Sequence, residues 1–292
     1  MLLPPLFIHR FFGLRYMATL YVVATPLGNL GDLSTRAIEV LRTVPVVAAE
    51  DTRRSRGLLE HIGAHPQLRS FHAHSPERRL EMLVEILSEG RDVALVSDAG
   101  TPGVSDPGTD LVRAALDAGH VVVPIPGPTA IATVLSASGL PADRFLFLGF
   151  VPRKGADRAR LLARAATEEW TVVFYEAPTR ALELLEDLLA LAGPGRRAAV
   201  GRELTKLHEE IRQGSLEELV QHFNATEPRG EFTVVLEGTG LPPVVADRTE
   251  EATTSARQLL ADGITRREVS QRIAAEFGLS RNDAYRLVTS LA

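Results

Sequence analysis

The chain contains no cysteine in 292 residues, which excludes a disulfide framework, thiolate catalysis and zinc–thiolate sites. Any metal site would have to use histidine and carboxylates. His61, His65, His72 and His74 fall close together, but no HExxH spacing occurs, and no metal ligand is assigned. Two phosphate-binding signatures are also missing: neither GxGxxG nor GxxxxGK[ST] is present. No apolar run approaches the roughly 20 residues needed to cross a bilayer. The N-terminal stretch MLLPPLFIHRFFGLRY is apolar, yet Pro4, Pro5, His9 and Arg10 interrupt it, and it lacks the basic start and small-residue cleavage site of a signal peptide. Residues 1–16 therefore read as an extension ahead of Met17, and a cytoplasmic protein is expected. Positive charge is in short supply as well. The net charge of −5 argues against indiscriminate nucleic-acid binding through bulk electrostatics.

What is present is the composition of a globular protein long enough for two ordinary domains, each with its own core. The short apolar runs Leu20–Ala24, Pro45–Ala49, Asp92–Val96 and Val121–Ile125 alternate with helical patterns at Leu33–Arg42, Thr52–Ile62, Glu77–Glu89 and Leu111–Ala118. That alternation predicts βαβ units and a largely parallel sheet. A helix over Thr129–Ser138 follows, and Leu140-Pro141 marks a boundary. A second set of runs, Phe145–Phe150, Thr171–Tyr175, Arg197–Val200 and Phe232–Leu236, carries helices at Asp157–Ala166 and Thr179–Ala192. The fold class is α/β, with domains at 17–141 and 142–243. Pro242-Pro243 marks another joint, and 244–292 reads as helices at Thr253–Ala261, Arg266–Phe277 and Arg281–Leu291, with Thr265 and Ser280 as N-caps and Gly263 and Gly278 as stops. Gly278-Leu279-Ser280 between two helices also fits a helix-turn-helix, in which Arg281, Asn282 and Arg286 would face DNA. A small packing or RNA-contacting bundle is the plainer reading.

Ser97–Gly108, SDAGTPGVSDPG, is the densest loop in the chain and directly follows a buried apolar run. Ligands of open α/β sheets sit beyond the carboxyl ends of parallel strands. Asp98 and Asp106 place negative charge where a phosphate cradle needs donors, so a neutral or cationic ligand is indicated; a rigid crossover loop would also use these glycines and prolines. Asp106, just before Pro107-Gly108, is expected to cap the next helix. Thr25–Leu30, Glu50–Arg53, Pro126–Thr129 and, in the second domain, Tyr175–Arg180 end apolar runs in the same way. If the first-domain strands are parallel, the loops at Pro26, Glu50, Asp98 and Pro126 line one rim. Two basic clusters, Arg153–Arg164 and Arg196, Arg197, Arg202 and Lys206, suit either solvated helix faces or RNA phosphates.

LYVVATPLGNLGDLSTRAIEVL, AAEDTR, ALVSDAGTPGVSDPG, VVPIPGPTA, FYEAPTR and RELTK occur in this order. Together they resemble the bacterial small-subunit ribosomal RNA ribose 2′-O-methyltransferases of the tetrapyrrole-methylase superfamily, over about Leu20 to Gly238. The resemblance implies two α/β domains around a cleft, a homodimer, and S-adenosylmethionine bound between the domains. It also implies methylation of the 2′-hydroxyl of a cytidine in the decoding region of 16S rRNA. By motif position, Pro26, Asp98, Ala99, Gly100, Thr101 and Pro102 would contact the methionine part of the cofactor. Pro126, Gly127, Pro128 and Thr129 would close its pocket, and Phe150, Tyr175 and Ala177 would cover the adenosine. A sulfonium is a cation, which an acidic rim stabilises.

A ribose hydroxyl is a poor nucleophile, so a base or electrostatic aid is expected from Glu50, Asp51, Glu176, Arg180, Arg202, Glu203 or Lys206. Arg53, Arg153, Lys154 and Arg180 are the candidate RNA contacts. Two alternatives remain from the residues: a tetrapyrrole C-methyltransferase, whose carboxylate-rich substrate would also suit a basic patch, and a ligand-sensing DNA-binding regulator.

Overall fold

The computed structural model describes residues 18–225, 229–240, 249–277 and 281–291. The N-terminal extension with Met17, the joint at Pro242-Pro243 and the expected stop and cap at Gly278 and Ser280 lie outside them. The described chain forms two compact units, one ending at Thr239 and the other starting at Gly240.

In the first unit, β1 (Thr19–Val23), β2 (Val46–Ala49), β3 (Gln67–Ser70), β4 (Val93–Val96) and β5 (Val121–Ile125) form a sheet in the order β3-β2-β4-β1-β5. Every pairing is parallel. Both faces are covered, so the central strands read as continuous apolar runs, not as alternating ones. Val23, Val47, Ala49, Ala94 and Val96 pack against helices α1 (Thr35–Thr43) and α2 (Thr52–His61). The alternate residues Leu20, Val46, Ala48, Val93 and Leu95 pack against α3 (Glu77–Ser88) and α4 (Thr109–Asp117), as the two-residue strand period requires. The helix that follows β1 and the helix that follows β4 thus lie on opposite faces, although these strands are neighbours. This is the place in an open α/β sheet where ligands are expected, beyond the carboxyl ends of the strands.

The second sheet runs β6-β7-β10-β8-β9, built from β6 (Phe145–Phe150), β7 (Thr171–Glu176), β8 (Arg197–Arg202), β9 (Glu210–Ser215) and β10 (Phe232–Leu236). Only β6 and β7 are parallel, and the other three pairings are antiparallel. One face carries α6 (Ala156–Thr167), α7 (Pro178–Ala192) and α8 (Leu216–Asn224). The other carries α5 (Ala130–Ser138), through Ile131, Val134 and Leu135 on Val173, Ala199 and Val235. The sequence reading groups α5 with the first domain; its apolar side belongs to the second sheet. That reading also lacks β3, β9 and α8. The strands β3 and β9 (Gln-Leu-Arg-Ser and Glu-Ile-Arg-Gln-Gly-Ser) are edge strands with little burial, and an edge needs no apolar run.

In the second unit, α9 (Thr249–Ala261), α10 (Arg266–Phe277) and α11 (Arg281–Ser290) enclose a core of Ala252, Ala256, Val269, Ile273, Phe277, Ala284 and Val288. Gly263 ends the turn after α9 at φ 81°, as expected of a helix stop. Among the described residues, no helix is long and apolar enough to cross a membrane.

Candidate active site

The loops that leave β1, β4 and β5 are tied together by backbone. Thr25 N–H donates to Gly100 O at 2.8 Å and Gly100 N–H returns to Thr25 O at 3.0 Å. Thr25 Oγ1 donates to Ser97 O at 3.1 Å, and Thr101 Oγ1 to Pro128 O at 3.2 Å. Gly127 rests against Ala24, where an added Cβ would stand 3.0 Å from the alanine methyl. Close approach of backbone, not side-chain chemistry, is the reason for the small residues here.

Beyond this rim, facing the second sheet, is a cavity of about 300 Å³, at the lower end of ordinary small-molecule sites. The first sheet contributes Glu50, Asp98, Ala99, Gly100, Thr101 and Thr129 to its wall, and the second contributes Phe150, Tyr175, Glu176 and Lys206. These ten are among the residues singled out from the sequence. Phe150 and Tyr175 meet edge to face, with ring centroids 5.5 Å apart, and give the cavity an aromatic side. Pro26, Pro102, Pro126, Gly127, Pro128 and Ala177 do not line it; they stand in the supporting loops.

Six carboxylates line the cavity, Glu50, Asp98, Asp106, Glu176, Glu203 and Glu231, against two cationic side chains, Arg54 and Lys206. Both cations are engaged: Arg54 Nη1 lies 3.3 Å from Asp98 Oδ2, and Lys206 Nζ lies 2.8 Å from Glu203 Oε1. Asp98 Oδ1 also accepts the Asp51 N–H at 3.0 Å. Burial raises the Glu50 carboxyl above its ordinary range, with the backbone N–H of Asp98 opposing and the Asp98 charge adding to it. Asp106 is raised to about 6, first by burial and then by Glu50, Glu231 and Asp98, against a hydrogen bond with Ser97. Burial likewise raises the Tyr175 hydroxyl.

Asp106 is not the helix cap expected from the sequence. The N-cap of α4 is Gly108, at φ 141° and without a side-chain bond, and the Asp106 carboxylate turns to Ser97 and the cavity instead. Asp51 caps α2, accepting the Arg53 N–H at 2.8 Å and pairing with the Arg53 guanidinium at 2.9 Å. Those contacts hold its carboxyl down to about 2.

Other predicted groups are committed to structural pairs. Glu176 Oε1 accepts the Ala177 N–H at 2.8 Å and binds Arg180, whose Nη1 reaches Val151 O at 3.1 Å. Its second oxygen, Oε2, is buried without a hydrogen-bond partner among the described residues. Arg202 Nε donates to Glu210 Oε2 at 2.6 Å, and Glu210 Oε1 meets His222 at 2.7 Å. Within the basic stretch 153–164, Arg158 is buried and donates to Asp187 at 2.6 Å and to Pro152 O at 3.2 Å, whereas Arg153 and Lys154 are exposed.

Arg54, Leu204, Glu231, Phe232 and Thr233 line the cavity without having been singled out from sequence. Arg54, one residue beyond the EDTR segment, was within reach of the motif. Glu231, Phe232 and Thr233 arrive only because β10 inserts between β7 and β8, which no local signal announces. Among the described residues, no group of three or more metal-ligating side chains gathers.

The family model Tetrapyrrole (Corrin/Porphyrin) Methylases matches residues 19–220. A protein of Synechocystis sp. named Ribosomal RNA small subunit methyltransferase I is 44% identical over 275 residues, 94% of this chain and 99% of the relative. Proteins of the same name from Halalkalibacterium halodurans and Escherichia coli O157:H7 are 40% and 46% identical over 92% and 75% of this chain, and 94% and 77% of their own. Among solved structures, a cobalt precorrin-4 methyltransferase superimposes with TM-score 0.60 at 15% identity, over 76% of this chain and 95% of its own. A uroporphyrin-III C-methyltransferase of Thermus thermophilus complexed with S-adenosyl homocysteine superimposes with TM-score 0.55 at 21% identity, over 76% and 98%. At these identities the two structures speak for the fold alone.

Proposed function

The chain belongs to the tetrapyrrole (corrin/porphyrin) methylase family and, within it, to the group named ribosomal RNA small subunit methyltransferase I; from this premise we propose that it transfers a methyl group from S-adenosylmethionine to small-subunit ribosomal RNA. One observation supports the substrate above the others. Relatives that cover most of the chain at 40–46% identity carry that name, while the tetrapyrrole-acting neighbours share little beyond the fold. The finer reading is a ribose 2′-hydroxyl of a cytidine in the decoding region of 16S rRNA, modified by a cytoplasmic homodimer. It rests on the motif order from PLGN to RELTK.

The cavity suits this cofactor chemically. Six carboxylates and a carbonyl-rich rim favour a cation, and the Phe150–Tyr175 side offers an apolar surface for a nucleoside. Asp98, Ala99, Gly100, Thr101, Thr129, Phe150 and Tyr175 would hold S-adenosylmethionine, which supplies an electrophilic methyl group on a sulfonium. Pro26, Pro102, Pro126, Gly127, Pro128 and Ala177 would shape that pocket from behind.

Methyl transfer needs in-line placement of the hydroxyl, and positioning supplies much of the rate. Lys206, on the cavity wall and paired with Glu203, would place positive charge beside the incoming ribose and its phosphates. Glu50 and Asp106 are the two lining carboxylates raised above their ordinary range. They are therefore the groups suited to accept the hydroxyl proton. Exposed Arg153 and Lys154 would hold flanking phosphates. The engaged Asp51–Arg53, Glu176–Arg180 and Arg202–Glu210 pairs would act by positioning the loops that bear them.

Incubation with labelled S-adenosylmethionine and small subunits lacking the modification, followed by mapping of the product, tests the proposal. Label on a ribose of 16S rRNA is expected. Label on a uroporphyrinogen or precorrin and none on RNA would replace this reading with tetrapyrrole methylation.

A further inference from the structure

Asp106 stands at the seam between the two sheets. The residue before it, Ser105, has φ 61°, and its Oγ would lie 3.2 Å from a Cβ added at Gly149, the residue at the bulge of β6 with φ 66°. A side chain at Gly149 would crowd the loop, so the glycine lets Ser105 and Asp106 seat against the second sheet. From this place Asp106 feels Glu50 and Asp98 from the first sheet, and Tyr175 and Glu231 from the second. Ser97 is its hydrogen-bond partner. The remaining charged groups on the wall are balanced within themselves: Arg54 with Asp98, Lys206 with Glu203, and Glu176 with Arg180. Among the described residues that line the cavity, both cations, Arg54 and Lys206, are thus engaged by other carboxylates, while Asp106 meets carboxylates of its own sign and is raised to about 6.

Methyl transfer to a hydroxyl forms an O–C bond and breaks the S–C bond. The S–C electron pair stays on sulfur, and the hydroxyl proton leaves. The cavity then holds a neutral thioether where it held a sulfonium, and one positive charge has gone. An acidic cavity tolerates that loss only if a carboxylate takes up a proton or the product departs.

We propose that Asp106 distinguishes the cationic cofactor from its neutral product, the sulfonium holding its carboxylate ionised and the thioether leaving it at its ligand-free proton affinity. This rests on the S-adenosylmethionine reading above. The sign follows from linkage. A cation favours the ionised form, so binding S-adenosylmethionine expels a proton from Asp106 and tightens as pH rises through about 6. S-adenosylhomocysteine has no such preference. Both ligands carry the same α-ammonium and carboxylate groups, so the difference between them isolates the sulfur.

Calorimetric titration of the full chain with each ligand between pH 5 and 8, in two buffers of different ionisation heat, tests the proposal. S-adenosylmethionine should gain about five- to tenfold in affinity across that range, where a one-unit shift corresponds to tenfold. It should release about half a proton at pH 6, while S-adenosylhomocysteine shows a flat profile. Asp106→Asn should abolish the difference, and Glu50→Gln should keep it. Parallel profiles in the unmodified protein, or a difference that survives in Asp106→Asn, overturn the assignment while leaving the cofactor reading intact. Failure of both ligands to bind at any pH overturns the cofactor reading and this inference with it. The proton counts on the unmodified protein decide the matter even if the variant does not fold.

Discussion

Thr25 and Gly100 form an isolated antiparallel bridge, with hydrogen bonds of 2.8 and 3.0 Å, between the loops that follow two parallel neighbouring strands. The bridge requires φ 82° at Gly100, and a Cβ there would stand 3.4 Å from Leu27 Cδ2. Gly100→Ala therefore leaves room for the methyl group but strains the backbone. It should cost about 1–2 kcal/mol and lower the melting temperature by several degrees. Affinity for S-adenosylmethionine should fall with it, since Gly100 lines the cavity. A variant with unchanged melting temperature and affinity would show that the bridge does not organise the rim.

Asp106 should also make stability depend on pH. Its folded value of about 6 lies above the ordinary aspartate value, so the folded chain holds the proton more tightly than the unfolded one. That contribution is complete below about pH 4 and is lost as pH rises through about 6. Asp106→Asn should thus stabilise the ligand-free protein at pH 8 by about 1 kcal/mol, a figure reduced for the side chain's partial exposure, and leave it unchanged near pH 4. Thermal melts at the two pH values check this.

Arg158 and its neighbours in the basic stretch should separate by phenotype. Arg158 is buried against Asp187, so Arg158→Ala should lower stability by about 2–3 kcal/mol, somewhat less than a fully buried pair because Asp187 is partly exposed. Arg153→Ala and Lys154→Ala should leave the melting temperature in place. Each should weaken binding to small subunits and flatten its salt dependence by about one counterion. Equal losses of stability in all three would remove the distinction.

Lys206 and Arg202, four residues apart, are expected to fail differently. Lys206 lines the cavity, with its stem folded over Gly28. Lys206→Ala should therefore reduce methylation at least about tenfold with cofactor affinity within about twofold. Arg202→Ala takes the guanidinium from Glu210, which keeps its contact with His222, so its first effect should be on stability, by about 1–2 kcal/mol. Single-turnover methylation alongside thermal melts resolves the two.

Much of the site was legible because its loops carry their conformation in their composition. Gly100, Gly103 and Gly108 all have positive φ, and a segment this rich in glycine and proline after a buried apolar run has few uses other than a crowded strand end. The parallel first sheet was legible for a related reason: its central strands are buried on both faces and must be apolar throughout. Asp106 was misread because N-cap preference is a local tendency, whereas burial between two sheets is not local.

The sequence by itself determined the alternation of strand and helix, the placing of the ligand loops at carboxyl ends, and the family to which those loops belong. Each follows from short-range periodicity or from a contiguous motif. Only the tertiary structure decided which charges remain available. It paired Arg158 with Asp187 and Arg202 with Glu210, and it brought Glu231, just before β10, to the same cavity as Glu50 and Asp106. Electrostatic free energy depends on distance and burial, and neither is a property of position along the chain.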